Sequence, residues 1–568
     1  MKWILNINKN YKRPYILANM MLIFFDSIGF VIPIAIGYIV DKVTVRQSYD
    51  HLFLIVIGII VFVIIKHLGS YLSVIKLDLT CHEIIRELKE KCYQNINKLD
   101  YYFFEHNNKG ELMTNFTSDT NQVRRQISYN IKTMGAIIIT FLCSLVYLLT
   151  INIPFTVVLL TPGILVGIAS YRFLKNIKPE YEKSRDLASL SNDFISDNIE
   201  GNKVVKTFAL EQDEIKRMRK VNTKGADKYI EISLVENKFY QTVDFFGYLM
   251  NVIFLLVGGY LFIKSRISMG ELIIFNAYLY NLNAPFFRLS GLLNSVERYQ
   301  ISKARLQKLV DAKPQIVLNG EEKLESLLVP IEFRNVRIVY DNKVILENLN
   351  LKIKPYETVA FIGKTGSGKS SIVNLLLGFI VPESGELLIN NKNYLDYRIK
   401  DLREKVGYVT QSSFLFSDTI YNNIKYGAVN TTKEEAEKYA SIACCDYIGK
   451  LPEKLDTIIG ERGVGLSGGE KQRLSLARAL AVKPDILLLD DITSALDIET
   501  EEKINESIKT LEYKSTKIII ASKIVSVMNA DKIYVLDQGK VIEEGTHKEL
   551  LKKKGYYYEL YNIQKGGM

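Results

Sequence analysis

Hydrophobic positions dominate the first half of the chain in long, nearly uncharged runs. The run from Tyr15 to Val43 is the first of these, and similar stretches recur as far as residue 296. Each has roughly 20 residues or more, enough for a helix rising about 1.5 Å per residue to cross a hydrocarbon core of about 30 Å. We therefore predict six membrane-spanning helices, over 15–43, 52–75, 134–151, 154–171, 243–263 and 272–296.

The second half has a different pattern, in which short apolar runs alternate with helical stretches. The change comes after Arg305, and a polar segment including 319–322 is typical of a linker. Alternating strands and helices indicate an α/β domain around a mainly parallel sheet, with strands expected at 331–333, 358–362, 486–489, 517–520 and 533–536. The predicted fold class is multidomain: an all-α six-helix transmembrane domain (1–310), a linker (311–327) and an α/β domain (328–568).

Positive charge predicts how the spans are oriented. Lysines and arginines precede the first span and fill the long segments 76–133 and 172–238, whereas the loops at 41–51 and 151–154 are nearly free of them. Because cytoplasmic loops carry the excess of Lys and Arg, we place both termini and both long segments in the cytosol. Lys264 and Arg266 go against this trend. Apolar residues at helical spacing, such as Ile84, Ile85 and Leu88, predict that the long segments extend the spanning helices.

Composition changes this picture little. The chain has 568 residues with 73 Lys and Arg against 63 Asp and Glu, a formal net charge of +10. Because these charges gather around the spans and in the second domain, we attribute the surplus to membrane orientation and phosphate handling, and predict no nucleic-acid partner. The five cysteines contain no Cys-x-x-Cys pair, which argues against a disulfide framework or a zinc site.

A glycine-rich loop carries the clearest chemistry. It follows the expected strand at 358–362 and precedes a helix-like stretch, the context that a phosphate-binding loop requires. Its backbone N–H groups and the helix N-terminus can bind phosphate oxygens, Lys369 can reach the outer phosphates, and the Ser370 hydroxyl can bind Mg²⁺. The predicted nucleotide-binding residues here are Gly363, Lys364, Thr365, Gly366, Ser367, Gly368, Lys369, Ser370 and Ser371.

Asp490 ends a buried-strand run, where a carboxylate can lie beside the Mg²⁺ of a phosphate-loop enzyme. Between this residue and the loop stands the motif Ser467, Gly468, Gly469 and Glu470. With these motifs the sequence closely resembles the ATP-binding cassette (ABC) family. The membrane half resembles that family's type IV half-transporters, with six spans fused to one cassette. The resemblance implies a transport ATPase that uses ATP and Mg²⁺.

The resemblance also implies roles for residues outside the two strongest motifs. Tyr340 matches the adenine-stacking aromatic, Gln411 matches the lid glutamine that contacts the metal, and 494–497 matches the loop between the two sites. The segments 102–112 and 200–211 resemble the family's cytosolic coupling segments, whose tips press into clefts on the cassettes.

Two positions depart from the family pattern. Asp491 stands where the family has a Glu that polarises the attacking water, and its carboxylate is one methylene shorter. Ser522 stands where the family has a switch His, and no other histidine is available for that role. A base must lie within about 2.6–3.2 Å of its proton or act through one water, so Asp491 keeps the charge and loses the geometry.

These departures predict a heterodimer. In the family, each ATP lies between one chain's phosphate loop and the other chain's Ser-Gly-Gly motif. A self-pair would contain two weakened sites, yet this chain's own motif is intact. We expect a second half-transporter that supplies the catalytic Glu and switch His. The alternatives are a slow homodimeric exporter, a nucleotide-sensing regulatory subunit, and a siderophore-type importer on the same scaffold.

The transported substrate is the least determined feature. Asp26, Asp244 and Arg288 lie within predicted spans, where ionisable groups usually face a cavity or one another. One interpretation is that a carboxylate attracts a cationic amphipath. The alternative is that these residues form an Asp–Arg pair or lie near water. A small hydrophobic, lipid or peptide substrate fits the resemblance equally well. We expect a multi-pass protein of the cytoplasmic membrane, in contact with the lipid bilayer.

Overall fold

The computed structural model describes residues 3–4, 9–44, 52–316, 318, 320–460, 463, 465–492 and 498–566. Contacts divide the chain into two compact units. The first comprises Met1–Lys98 and Asn107–Lys313, and the second comprises Leu99–His106 and Pro314–Met568. A short segment between two long helices therefore belongs with the C-terminal unit.

Helices make up nearly all of the described part of the first unit. Five of its helical segments are long and apolar enough to cross a membrane: Lys9–Val43, Leu52–Ile96, Lys109–Ile151, Ile153–Glu200 and Glu211–Ile263. They contain the first five predicted spans, and the prediction of a helical transmembrane domain is confirmed. The helices of this unit are α1 (Lys12–Ser27), α2 (Val31–Thr44), α3 (Leu52–Ile96), α5 (Lys109–Thr114), α6 (Thr120–Arg125), α7 (Ile131–Ile151), α8 (Ile153–Glu200), α9 (Asn202–Thr207), α10 (Glu211–Ile253), α11 (Gly259–Ile263) and α12 (Met269–Asp311), while α4 (Tyr101–His106) belongs to the second unit.

The sixth predicted span differs from the other five. Residues 272–296 are helical as expected, within α12, but this helix is not apolar enough to join the group of candidate spans. Asn276, Asn281 and Arg288 interrupt its apolar sequence. Length and helicity therefore suit a span here, while composition suits a helix that packs against protein or faces a polar cavity.

Long helices continue well past the predicted spans, as the helical spacing of the long segments predicts. α3 has 45 residues and α8 has 48, more than twice the length that crosses a hydrocarbon core. Apolar side chains such as Phe53, Leu54 and Ile64 are exposed along α3. Large exposed apolar surface of this kind is expected where lipid is the solvent.

Buried aromatic and aliphatic residues hold the helices of the first unit together. Phe155 of α8 lies 4.5 Å from Phe275 of α12, between ring centroids, and both side chains are fully buried. Asp41 near the end of α2 accepts hydrogen bonds of 2.6 Å from the Ser268 hydroxyl and the Gly270 N–H. The carboxylate therefore satisfies unpaired donors at the start of α12 and fixes that helix against α2.

Two sheets form the centre of the second unit. A four-stranded antiparallel sheet has the order β2-β1-β4-β5, and a six-stranded sheet has the order β10-β9-β3-β8-β7-β6. Within the larger sheet β9, β3, β8, β7 and β6 are parallel, and only β10 is antiparallel to its neighbour. The predicted α/β domain is confirmed. The strands are β1 (Ile331–Tyr340), β2 (Lys343–Ile353), β3 (Thr358–Ile362), β4 (Ser384–Ile389), β5 (Lys392–Asn393), β6 (Val406–Val409), β7 (Ile486–Asp490), β8 (Thr516–Ala521), β9 (Lys532–Asp537) and β10 (Lys540–Gly545).

Helices cover the parallel sheet and bury its apolar strands. Leu487 and Leu488 of β7 are fully buried and point to opposite faces, so the two faces of this strand contribute to separate apolar cores. Since parallel strands end at the same edge, β3, β7 and β8 bring the residues that follow them together. The helices are α13 (Lys369–Leu376), α14 (Ile399–Glu404), α15 (Ile420–Ile424), α16 (Lys433–Ile442), α17 (Gly468–Ala481), α18 (Ile498–Lys509), α19 (His547–Lys553) and α20 (Tyr556–Gly566).

Candidate functional site

The glycine-rich loop connects β3 to α13, as the sequence predicts. Gly368 precedes α13 with φ +97°, a left-handed conformation that favours glycine. A Cβ at this position would lie 2.5 Å from Leu346 Cδ2, so a side chain would also clash. The loop can therefore bring its backbone, and the start of α13, close to a bound group.

Lys369 lies folded over this loop. Its Nζ donates hydrogen bonds to the carbonyl oxygens of Gly363 at 2.7 Å and Lys364 at 2.8 Å, and it lies 3.4 Å from the Ser367 hydroxyl. Burial lowers the pKa of Lys369, and the carboxylates of Asp490 and Asp491 partly oppose that shift. A half-buried ammonium beside polarised carbonyls and carboxylates is suited to exchange these partners for phosphate oxygens.

Asp490 occupies the last position of β7, where the parallel strands end. Its side chain is buried, and the Tyr408 hydroxyl of β6 donates to its Oδ2 at 3.3 Å. Burial raises the pKa of Asp490, and the hydrogen bond from Tyr408 opposes that rise. Sequence reasoning missed Tyr408, because only the pairing of β6 with β7 brings it to this carboxylate.

The next residue, Asp491, joins the two other positions that the family resemblance singled out. Its backbone is left-handed, with φ 48°, and its N–H donates to the Ile520 carbonyl of β8 at 2.8 Å. Its Oδ2 accepts hydrogen bonds from Gln411 Nε2 at 3.3 Å and from the Ser522 hydroxyl at 3.1 Å. Residues 80 and 31 positions away in sequence therefore converge on one carboxylate oxygen.

These side chains line one cavity of about 260 Å³. Six of the nine predicted loop residues line it, and the other three, Gly363, Lys364 and Ser367, contact the Lys369 ammonium instead. Two apolar residues that the sequence did not indicate, Ile345 of β2 and Ile520 of β8, complete the wall. The lining consists of Ile345, Thr365, Gly366, Gly368, Lys369, Ser370, Ser371, Gln411, Asp490, Asp491, Ile520 and Ser522.

The donor set of this cavity fits a hard cation that is mainly bound by phosphate and water. Ser370 and Asp490 supply a hydroxyl and a carboxylate oxygen, and Gln411 supplies an amide oxygen. Mg²⁺ typically takes one or two protein ligands together with substrate phosphates. Within the described ranges, no group of three or more His, Cys, Asp or Glu side chains could hold a metal ion by itself.

Tyr340 does not line the cavity. It ends β1, and its hydroxyl donates to Glu105 of α4, while the ring of Tyr102 lies edge-on at 5.7 Å between centroids. His106 lies beside the same tyrosine and contacts the carboxylate of Asp341 at 3.2 Å. The structure therefore places the predicted stacking residue against the first predicted coupling segment.

The Ser-Gly-Gly motif begins α17 and is also absent from the cavity. Ser467 is the N-cap of that helix: its hydroxyl accepts from the Glu470 N–H at 3.3 Å, and its own N–H donates to Glu470 Oε2 at 2.7 Å. A Cβ at Gly468 would meet open space within 4 Å. The motif thus forms a capped helix N-terminus with open space beside Gly468. The remaining loop named by the resemblance, 494–497, lies outside the described residues.

The three ionisable residues singled out in the predicted spans, Asp26, Asp244 and Arg288, do not form ion pairs with one another. Asp26 Oδ1 accepts a hydrogen bond of 2.8 Å from the Ser70 hydroxyl of α3. Asp244 and Arg288 are exposed on α10 and α12. Among the ion pairs of the described residues, none joins either aspartate to Arg288.

Comparison with known proteins identifies the family. Residues 15–286 match the model of the ABC transporter transmembrane region, and residues 346–494 match that of the ABC transporter domain. An uncharacterized ABC transporter ATP-binding protein of Bacillus subtilis, YknU, is 30% identical over 558 residues, which cover 98% of this chain and 95% of the relative. The chain belongs to the ABC transporter family.

Other members of the ABC transporter family match over similar lengths. A putative multidrug export ATP-binding/permease protein of Staphylococcus aureus is 32% identical, covering 99% of both chains. The ATP-dependent lipid A-core flippase of Syntrophus aciditrophicus is 31% identical, covering 95% of this chain and 89% of the flippase. The solved structure of a bacterial Atm1-family ABC exporter with ATP bound has a TM-score of 0.83 and 26% identity, covering 97% of this chain and 99% of that one.

These matches establish an ABC exporter fold, with a transmembrane region followed by an ABC ATPase domain on one chain. The ABC transporter described here is therefore an ATP-hydrolysing transport enzyme, and its ATPase domain binds ATP.

Proposed function

We propose that this chain is one half of a heterodimeric exporter whose own phosphate site retains ATP and hydrolyses it weakly. Its Ser467–Gly469 motif would complete the active site of the partner. The observation that carries the proposal is the pair of hydrogen bonds that Gln411 and Ser522 donate to one oxygen of Asp491.

A carboxylate acts as a base only through an oxygen lone pair that can reach the attacking water. At Asp491 the oxygen that faces the cavity residues already accepts from an amide and a hydroxyl. Because aspartate is one methylene shorter than glutamate, its carboxylate remains close to β7, where these donors hold it. A base must come within about 2.6–3.2 Å of its proton, so this arrangement supports slow hydrolysis.

Ser522 supports the same inference. Its hydroxyl donates to Asp491, whereas an imidazole at that position could extend further and carry positive charge toward a phosphate. A serine hydroxyl stays neutral at all physiological pH values. The site therefore lacks both the long carboxylate and the ionisable ring of the family pattern.

The residues that would bind the phosphates and Mg²⁺, in contrast, all line the cavity or contact the Lys369 ammonium. Lys369 and the N–H groups of 363–371 would hold the phosphates, and Ser370, Gln411 and Asp490 would hold Mg²⁺. Mg²⁺ when bound would neutralise charge on the outer phosphates. Retention without rapid hydrolysis is the behaviour expected of a site with intact binding and weakened chemistry.

The start of α17 supports a role in a second site. Ser467 and Glu470 cap the helix reciprocally, and space remains open at Gly468. A helix N-terminus of this kind favours an anionic group. An intact motif is useful only opposite a competent phosphate loop, which a partner carrying the family's Glu and His would supply.

The relatives support a hydrophobic or amphipathic substrate, because one is named a putative multidrug exporter and another a lipid A-core flippase. The cytoplasmic membrane and cytosolic termini follow from the distribution of Lys and Arg along the chain.

The test is nucleotide trapping in the purified pair, using photoreactive radiolabelled ATP with and without vanadate. We expect this chain to retain unhydrolysed ATP and the partner to retain ADP with vanadate. Equal hydrolysis on both chains would overturn the proposal, and full transport by this chain alone would establish a homodimer. A chain with Lys369→Ala serves as the control for nonspecific labelling.

A further inference from the structure

The helix α20 is the last helix that the structure describes, and the nucleotide chemistry described above does not involve it. At its start, Glu543 of β10 accepts hydrogen bonds from the N–H groups of Tyr556 at 2.6 Å and Tyr557 at 3.1 Å. The side chain of Tyr557 is fully buried, and its hydroxyl lies 2.8 Å from His547 Nδ1 of α19. The start of α20 is therefore fixed to the sheet and to the preceding helix.

Two contacts join α20 to loops of the nucleotide site. In its first turn, the Lys364 ammonium of the phosphate loop lies over the ring of Tyr556, with 5.7 Å between Nζ and the ring centroid. A cation at this distance from the face of a tyrosine is attracted to the ring. Two turns later, Gln564 contacts the loop that directly follows β8. One helix therefore contacts both the loop after β3 and the loop after β8.

Gln564 makes two hydrogen bonds with the backbone of the loop after β8. Its Nε2 donates to the Ser522 carbonyl at 3.0 Å, and its Oε1 accepts from the Ile524 N–H at 2.8 Å. The pairing of β8 with β3 ends at Ala521, one residue before this loop. Among the backbone hydrogen bonds of the described residues, none involves the Ser522 carbonyl or the Ile524 N–H. The Gln564 amide therefore satisfies two backbone groups at the point where strand pairing stops.

This loop carries the hydroxyl of Ser522, which donates to Asp491 Oδ2 at 3.1 Å. A serine oxygen is attached directly to Cβ and occupies one of three staggered positions, so its place follows the backbone of residue 522. A backbone movement of about 1 Å away from Asp491 would lengthen the contact beyond the range of a hydrogen bond. Gln564 does not itself line the nucleotide cavity.

We propose that Gln564 is a positioning residue of the nucleotide site, which holds residue 522 at hydrogen-bonding distance from residue 491. The proposal rests on the proposed function, in which the contact between Ser522 and Asp491 restrains the carboxylate. Because Gln564 binds the backbone, it would hold a histidine at position 522 in the same way as the serine. Tyr556 fixes the same helix beside the phosphate loop, so both loops are held by one element.

Amide exchange measures these two hydrogen bonds directly, in the full-length transporter in phosphatidylcholine nanodiscs without nucleotide. Gln564→Leu removes both bonds at similar volume, so the Ile524 amide should exchange about tenfold faster, the change expected for one lost hydrogen bond. Gln564→Glu keeps an acceptor for that amide and should protect it better than leucine does. A role in packing alone predicts the reverse order, because leucine packs better than a charged carboxylate.

Asn562→Leu is the matched control, because Asn562 is exposed on the same helix and lies outside these contacts. It should leave the exchange of the Ile524 amide unchanged. Unchanged exchange in Gln564→Leu, in a protein of normal melting temperature, would overturn the proposal.

Hydrolysis is measured in the variant Asp491→Glu with Ser522→His, which restores the family pattern at both positions. Adding Gln564→Leu or Gln564→Glu removes the donor to the carbonyl of residue 522. Each should lower single-turnover hydrolysis on this chain by about tenfold and leave the dissociation constant of ATP within about twofold, since Gln564 lies outside the cavity. Unchanged hydrolysis, or an equal loss of ATP affinity, would contradict a positioning role.

Failure of the proposed function is distinguishable from failure of this proposal. The first would appear as no gain in hydrolysis from Asp491→Glu with Ser522→His, while exchange of the Ile524 amide still responds to Gln564→Leu. The second would appear as a gain in hydrolysis that neither substitution of Gln564 reduces.

Discussion

At the scale of single residues, the proposed function depends most on the carboxylate of Asp491. Its Oδ2 accepts hydrogen bonds from Gln411 and Ser522, and Lys369 and Asp490 line the same cavity. The family resemblance identified Asp491 and Ser522 as unusual residues, but only the fold shows that they contact each other. The Ser522 hydroxyl therefore restrains the Asp491 carboxylate through its hydrogen bond.

This contact predicts that both positions must be restored together. The variant Asp491→Glu with Ser522→His should hydrolyse ATP at this chain's site at least about tenfold faster, since a positioned base contributes roughly a hundredfold or more. Single-turnover hydrolysis on this chain measures the effect. Ser522→Ala, which only removes the donor to Asp491, is the control and should produce little gain. An unchanged rate in the double variant would show that other features limit this site.

Tyr408 provides a second residue-scale prediction. Burial raises the pKa of Asp490 and the Tyr408 hydrogen bond opposes the rise, so Tyr408→Phe should raise that pKa further. A carboxylate with a raised pKa loses its charge as pH falls through that pKa, and the variant should lose it at higher pH. Mg²⁺-dependent nucleotide binding should weaken by about tenfold and decline earlier on acidification. Titrations at several pH values test this, and identical pH profiles would contradict it.

At the scale of elements, α4 is the clearest departure from a division at one linker. It lies among the residues of the helical half in sequence, yet it packs with the second unit through Tyr101, whose ring stacks on Phe379 at 5.2 Å. His106 Nδ1 lies 3.0 Å from the Tyr102 carbonyl, and its Nε2 lies 3.2 Å from the Asp341 carboxylate. Both partners are acceptors, so the doubly protonated imidazolium satisfies both.

These contacts predict that α4 binds more firmly at acidic pH. The Tyr102 carbonyl and the Asp341 carboxylate raise the pKa of His106, with a smaller contribution from Glu105. A group with a raised pKa contributes its stabilisation below its ordinary pKa and loses it as pH rises through the raised value. Amide exchange in 101–106 should therefore accelerate, beyond the intrinsic rate, as pH rises from below the ordinary imidazole pKa of about 6.5 into the alkaline range.

His106→Gln should remove this pH dependence, because glutamine stays neutral over that range. Asp341→Asn should reduce it, since it removes the charged acceptor and keeps the backbone one. A wild-type segment whose corrected exchange rate is constant with pH would show that the imidazolium does not stabilise α4.

At the scale of the whole molecule, charge and apolarity together predict one orientation in the membrane. The exposed Lys264 lies between α11 and α12, on the side that we expect outside the cell, and the exposed Lys220 lies on the part of α10 that we expect in the cytosol. Lys264 itself goes against the charge bias, so the orientation depends on the sum of the other loops.

This orientation is testable by cysteine accessibility in whole cells. Lys264→Cys should react with a membrane-impermeant maleimide from outside, whereas Lys220→Cys should react only after the cells are opened. The unsubstituted chain is the control, since Cys81, Cys92 and Cys445 are buried. Labelling of Lys220→Cys in intact cells would show the opposite orientation.

Periodicity and motifs by themselves determined the helical membrane domain, the parallel sheet and the strand–loop–helix at 358–376. These features are local, because apolar run length, alternation and glycine position act within a few residues of sequence. The sequence also identified Asp491 and Ser522 as exceptional. The stretch at 272–296 is helical as expected and is less apolar than the other five, because Asn276, Asn281 and Arg288 lie within it.

Tertiary structure alone decided the contacts between distant residues. Tyr408 reaches Asp490 through the β6–β7 pairing, and α4 packs with the second unit. Each contact depends on which elements become neighbours, and the free energy of that choice is spread over many buried side chains. The local sequence determines the chemistry that each side chain offers, while tertiary packing determines which other side chains it contacts.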